Sequence, residues 1–517
     1  MGIPSYFSYI IKNHVDIIQR FKGSDRVDIL LIDSNSIIYD SLREISIEDY
    51  DNNALFEKEL INRVYIKLRE YIKIISPKKI VYIAFDGVAP VAKMEQQRTR
   101  RYKSYLLSVI KNTIDKKTIK TWDKCAITPG TNFMKKLGTT LESKFKRSKK
   151  VILSTSDEAG EGEHKMFKYL RDNDMKENNV VIYGLDADLI MLCLNHMQLC
   201  ENIFLYRETP EFIKSINADL EPNEAYVLDI ERLGDAIKTE MSEFTTKADK
   251  NDLMQDYIFL CFFLGNDFLP HFPAVNIRTG GIHFLLSVYK NVIYPKKRLT
   301  DNGKILWNNV FIMIDWIAKM EEDLIKTEYK RRDKLTKRHF TYKDDMDKLD
   351  NIPIKMRDVE EYIDPFHSGW HSRYYKTLFK IDMSRHFIRN ICNNYLEGLE
   401  WVMKYYTTGC CDWGWKYNYN YPPLFKDLVE YVPRWDTRMI PENDNEPVEP
   451  EIQLAYVLPR TSLNLLPQEY RKLLEDKNLD KYPLDADIIW AFCRYFWEAH
   501  VDLPDLQIDD LKNIAHI

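Results

Sequence analysis

Two carboxylates one residue apart, Asp186 and Asp188, follow an apolar run in "VVIYGLDADLIML" (180–192). The same arrangement recurs earlier in the chain. "ILLIDSN" supplies Asp33, "YIAFDGVAP" supplies Asp86, and "VILSTSDEAGEGEHK" supplies Glu161 and Glu163. "GNDFLP" (265–270) adds Asp267 at the end of an apolar helical stretch. A lone Asp after a strand is ordinarily a turn former or a helix cap. Glu161 and Glu163 would also suit the first turn of a helix. Recurrence at four strand ends points to one shared site, because ligands of an open parallel sheet bind beyond the carboxyl ends of its strands. Two carboxylates ~4 Å apart repel by ~4 kcal/mol at an effective dielectric of about 20. Such a cluster needs protons or cations. An all-oxygen donor set without Cys or His favours Mg²⁺ or Mn²⁺. Two such ions roughly 3.5–4 Å apart suit in-line displacement at a phosphodiester.

A second group lies directly after Asp86. In "VAKMEQQRTRRYKS" (91–104), helical spacing puts Lys93, Gln97, Arg100 and Arg101 on one face. Three cations and an amide there can clamp a phosphate, with Arg giving bidentate contacts. Most basic runs are solvated helix faces. The place of this one, beside the acidic edge, favours a substrate with a terminal phosphate. A third group, "CCDWGWKYNYNY" (410–421), holds rings that could stack on nucleobases at about 1–3 kcal/mol per base. For any one ring, a place in an aromatic core is the ordinary alternative.

The elements that must position these residues are legible. "VDILLI" (27–32), "KIVYIAF" (79–85), "KVILS" (150–154) and "VVIYGL" (180–185) read as buried strands. Between them lie helical stretches such as 54–75. Alternation of this kind predicts an α/β fold with a mostly parallel twisted sheet flanked by helices. Residues 208–229 read as a loop and strand, and 256–270 as a buried helix ending in a Gly-Asn-Asp turn. Residues 1–295 are expected to form the catalytic core and 296–385 a charged linker with helices. A second, mainly helical region, 386–517, would pack on the core and enclose the site, with a flexible acidic loop at 441–450.

Composition excludes several classes. Hydrophobic residues make up 45% and charged residues 30%, as in ordinary globular proteins. Net charge is −5, so a nucleic-acid site must be a local patch. The 8 cysteines show no CxxC pairing, which disfavours a zinc ribbon or disulfide framework. No GxGxxG follows a strand, which disfavours a dinucleotide fold. No stretch approaches a membrane span, and "MGIPSYFSYI" lacks signal-peptide regions. A cytoplasmic, monomeric protein is expected, with the nucleus as the alternative given "KFKRSKK" (144–150).

Taken together, these stretches resemble the Xrn family of 5′→3′ exoribonucleases. The resemblance rests on "MGIPSYF", "FDGVAPVAKMEQQRTRRYKS", "ITPGTNFM" (127–134), "AGEGEHK" (159–165), "YGLDADLIML" and "GNDFLPHFP" (265–273). It continues in "GLEWVMKYYTTGCCDWGWKYNYNYPP" (398–423) and "VLPRTSLNLLPQEYR" (457–471). It implies a 5′-nuclease core and a short member without extra C-terminal domains. The implied activity is processive, two-metal, Mg²⁺-dependent release of nucleoside 5′-monophosphates from single-stranded RNA with a 5′ monophosphate, downstream of decapping. The implied metal ligands are Asp33, Asp86, Glu161, Glu163, Asp186, Asp188 and Asp267. The implied phosphate pocket is Lys93, Gln97, Arg100 and Arg101. The family's base-stacking His is replaced by Tyr39, with Trp413 or Trp415 as its partner. Ala159 stands where the family has Pro. The rivals are a DNA-acting 5′ nuclease of flap-endonuclease type and a catalytically silent binder of 5′-monophosphorylated RNA.

Overall fold

A computed structural model describes the chain except residues 1–2, 4, 22–25, 116–121, 210–212, 215–216, 223, 243–249, 442, 444 and 516–517. Parts of the opening "MGIPSYF", of 208–229 and of the acidic loop therefore lie outside the described residues.

Seven strands form the main sheet: β1 (Ile18–Arg20), β2 (Ile29–Asp33), β3 (Ile80–Ala84), β4 (Val151–Ser154), β5 (Met175–Tyr183), β6 (Cys200–Glu208) and β7 (Ala225–Asp229). Their order is β1-β7-β6-β5-β2-β3-β4. Strands β2 to β6 run parallel, while β7 is antiparallel to both its neighbours. The expected mostly parallel α/β sheet is present. Strand β6 carries no clean alternation, and the sequence reading passed over it. The chain winds outward from β2 through β3 to β4, then returns to β5 on the other side of β2. That reversal opens a crevice at the carboxyl ends of β2 and β5, where such sheets bind ligands.

Seven helices matter here: α1 (Asn53–Ile75), α2 (Val91–Asp115), α3 (Gly162–Asp172), α4 (Asp188–His196), α5 (Lys250–Phe262), α6 (Trp307–Thr336) and α7 (Arg385–Thr407). Helix α1 starts where the Asn52 side chain accepts from Leu55 N, and it ends at Ser76 in the left-handed region. Its apolar residues Phe56, Leu60, Val64 and Leu68 recur every fourth position and cover one sheet face, formed by Leu30, Ile32, Val81 and Ile83. The other face, with Ile29, Leu31, Val180 and Ile182, belongs to a core that continues without a break into α5, α6 and α7. The helical region is thus packed on the sheet.

Residues 296–385, expected as a charged linker, contribute to that core. Trp307, Val310, Ile314 and Ile317 of α6 are buried in it. Charged residues dominate the local composition and mask the 3.6-residue apolar spacing; most lie on the outer face, but Glu321, Glu328 and Arg332 of α6 are buried, and Arg332 is paired with Glu360.

Candidate active site

The register makes the strand ends level: Asp33 lies opposite Ala84, and Ala84 opposite Ser154. Asp33 ends β2, and Asp86 lies two positions beyond β3. The loops after β3 and β4 are tied together, Gly160 N donating to Val88 O (2.7 Å) and Gly87 N to Gly160 O (2.9 Å). Gly87 admits no side chain, because a Cβ there would lie 1.7 Å from Glu158 O. This close approach delivers α3 to the acids. Gly162 N donates to Asp86 Oδ1 (2.7 Å), and a Cβ at Gly162 would lie 3.1 Å from Asp33 Oδ1. Glu161 immediately precedes α3, and Glu163 sits in its first turn. Ligand atoms of Glu161, Glu163 and His164 lie within 4.8 Å of one another. Asp188 opens α4 and is buried.

Lys93 stands among these acids. Its Nζ is 2.5 Å from Glu161 Oε2 and 2.9 Å from Asp267 Oδ2. Burial works against the ammonium, but Asp267 and Glu161 outweigh it and hold its pKa well above the ordinary value. Burial raises Asp267, but the nearby positive charges, Lys93 first among them, together outweigh it and hold the carboxyl below its ordinary range. The other acids go the opposite way. Burial, then Asp86 and Asp186, push Asp33 well up. Burial and Glu161 do the same to Glu163. Burial, then Asp267, push Asp188 up to about 7. One lysine does not neutralise the cluster. Asp188 Oδ1 is moreover buried with no hydrogen-bond partner. A buried carboxylate oxygen left unbonded is costly. The carboxylate oxygens of this set fit a hard divalent cation, with the His164 ring beside them.

The expected phosphate face divides. Lys93 points to the carboxylates, the strongest nearby charges, and not to a common pocket. Gln97 is buried. Arg101 Nη2 donates to Thr128 Oγ1 (2.6 Å), while its Nη1 is buried and unbonded. Arg100 lines a cavity of about 880 Å³ that also takes in Asp267. The rings divide as well. Trp415 is buried against Trp401, with centroids 5.2 Å apart. Trp413 is half-buried, and its carbonyl accepts from Val91 N (2.9 Å). Tyr39 packs on the α1 side of the sheet. Among the described residues, Tyr39 makes no ring contact with either tryptophan.

Comparison with known proteins decides the family. The model described as "XRN 5'-3' exonuclease N-terminus" matches residues 1–209, and "Xrn1 helical domain" matches 247–364 and 342–515. This chain belongs to the Xrn family. It is 27% identical to the 5'-3' exoribonuclease 2 of Arabidopsis thaliana, over 100% of this chain and 67% of that protein. It is 26% identical to the 5'-3' exoribonuclease 1 of Saccharomyces cerevisiae, over 97% of this chain but only 42% of that protein. A solved structure, the catalytic core of Rad2 in complex with DNA substrate, overlaps 64% of this chain and 79% of that chain at 14% identity, with a TM-score of 0.32. The Xrn nuclease region makes this chain a nuclease of the family, and its acidic edge is a candidate divalent-metal site.

Four residues at this Xrn site were not singled out from sequence. Asn35 holds Asp86 from both sides, its Nδ2 donating to Asp86 Oδ2 and its Oδ1 accepting from Asp86 N (3.2 Å). Lys165 Nζ bridges Phe85 O (2.9 Å) and Thr155 O (2.8 Å), pinning two strand ends. His164 stands beside Glu161 and Glu163, and burial keeps it neutral. Tyr405 of α7 donates to Glu161 Oε1 (2.7 Å) and packs on His164 with the rings tilted by 32° and centroids 3.7 Å apart. Asn35, His164 and Lys165 were signalled by adjacency to the acids. Tyr405 was not. Tyr405→Phe should raise the divalent-ion concentration for half-maximal activity by about tenfold to a hundredfold, the usual cost of losing a group that orients a metal ligand. A metal titration of activity, with the maximal rate fitted separately, checks this.

Proposed function

We propose that this protein is a processive 5′→3′ exoribonuclease that converts 5′-monophosphorylated single-stranded RNA to nucleoside 5′-monophosphates in RNA decay. The observation that carries the reading is the buried, under-neutralised carboxylate cluster around Asp188, whose Oδ1 is buried without a hydrogen-bond partner. Asp33, Asp86, Glu161, Glu163, Asp186, Asp188 and Asp267 would hold Mg²⁺, or Mn²⁺ in its place, which as a pair of ions supplies charge stabilisation to an in-line phosphoryl displacement.

The chain's own groups do the rest. Asn35, Lys165 and Tyr405 fix the carboxylates before substrate arrives, so little reorganisation is left for the reaction. Lys93 lowers the repulsion within the cluster. Arg101 offers Nη1 to an anion, and Gln97, whose side-chain oxygen is buried and unbonded, offers two N–H donors when its amide is turned over. On this reading the two residues take a terminal monophosphate and discriminate against a cap or triphosphate by size and charge. Substrate with this end is what a cap-removing hydrolysis leaves. An internal site has no terminal phosphate to give, which makes the cleavage exonucleolytic.

The test is release of mononucleotides from one RNA sequence carrying 5′ monophosphate, hydroxyl or triphosphate, and from a phosphorylated DNA copy, with Mg²⁺ or EDTA. Release from monophosphorylated RNA alone, abolished by EDTA, is expected. Arg101→Ala should cut the preference for monophosphate over hydroxyl by about 10–100-fold, since a hydrogen bond to a charged group contributes about 1.5–3 kcal/mol. Equal attack on DNA would favour a flap-type nuclease. Binding without release would mean a silent 5′-end sensor.

A further inference from the structure

The cavity that begins at Arg100 and Asp267 extends away from the acid cluster along the next face of α2. Its wall takes in Lys103, Tyr419 and Trp497. Trp497 is 40% exposed, an unusual state for so large a ring at the edge of an internal cavity.

Its surroundings hold it in place. Lys103 Nζ donates to Trp497 O (2.6 Å) and to Ala499 O (2.7 Å). The Trp497 ring lies nearly parallel to Tyr495, at 13° and 6.0 Å between centroids. Arg494 lies 4.3 Å over Tyr495, and Arg278 lies 5.8 Å over Trp497 while pairing with Glu498 at 2.5 Å. The cavity wall includes Trp497 but not Tyr495. Arg278 also lies 5.6 Å over Tyr495, so it sits against both rings, and Trp497 is the ring of the pair that reaches the cavity. A fixed, flat, exposed indole beside cations is the chemistry that receives a nucleobase.

We infer that Trp497 is a stacking platform for a base of the RNA strand downstream of the scissile bond, reached through the cavity that starts at Asp267. This rests on the exoribonuclease reading above. The mixed charge of the cavity wall argues for a site that grips bases and not the phosphate backbone. The platform takes any base, because every base offers a π-face.

The experiment measures binding of 5′-phosphorylated RNAs, from a trinucleotide to a dodecamer, to the full chain carrying Asp188→Asn, so that strands are not consumed. Mg²⁺ is present throughout. Affinity should rise in a step at the length whose base reaches Trp497. Adding Trp497→Ala should remove that step, lowering the dodecamer-to-trinucleotide affinity ratio by about tenfold. Trp497→Phe, which keeps a ring, should restore most of it and shows that the alanine effect is not misfolding. An unchanged ratio in Trp497→Ala, with RNA still bound, would overturn the platform alone. Failure of the parent protein to prefer phosphorylated RNA would overturn the exoribonuclease reading and the platform with it.

Discussion

Asp188→Asn should lower mononucleotide release by at least about a thousandfold, while leaving the metal-free protein as stable or more stable. The loss follows from removing a ligand that shares in charge stabilisation of roughly 4 kcal/mol, about 1.36 kcal/mol per tenfold in rate. The stability follows from the cluster. Asp188 has a pKa raised to about 7, first by burial and then by Asp267. Between about pH 4 and 7 the folded protein therefore binds a proton that the unfolded chain releases. Stability of the metal-free form should fall as pH rises through that window. At pH 8 the carboxylate is charged and repelled, and Asn should be the more stable residue. At pH 6 it is mostly protonated, and Asn should be nearly neutral. Thermal melts in EDTA at both pH values check this. Cations compete with the same protons, so the Mg²⁺ needed for half-maximal activity should increase as pH falls from 8 to 6. Asp33 and Glu163, also raised, push in that direction.

Lys93→Met should show opposite signs in two measurements. Lys93 is the buried cation between Glu161 and Asp267. Its removal leaves two carboxylates without compensation, and breaking a buried pair in this way costs about 3–5 kcal/mol. Urea unfolding in EDTA should show that loss. Added Mg²⁺ should then stabilise the variant more than the wild type, because the cluster has become more negative. If Lys93 instead serves mainly as a phosphate ligand, the EDTA transition should stay within about 1 kcal/mol of wild type, as for a substitution outside any buried network.

The acids were legible because two local regularities coincided: apolar runs of strand length, and a carboxylate after each. Both are properties of short segments. What was illegible depended on distant partners. Lys93 has helical spacing with Arg100 and Arg101, and spacing alone groups them. Only the positions of Glu161 and Asp267 in space assign Lys93 to the carboxylates. The rings show the same limit. "CCDWGWKYNYNY" leaves base stacking and an aromatic core both open for each ring, and only Trp401, distant on α7, places Trp415 in the core. Strand β6 was hidden because its neighbours in the sheet, not its own alternation, bury it.

The ring column has a consequence for synthesis. Trp415, Trp401 and Tyr405 stack in series, and Tyr405 packs tilted on His164, with centroids 5.2, 4.6 and 3.7 Å apart. Tyr405 meets Glu161 across 244 positions of sequence. A ribosome making this protein therefore releases every acidic ligand, and folds a sheet to carry them, long before the segment that braces Glu161 emerges. The nascent chain stays without its finished centre until the helical region closes over it.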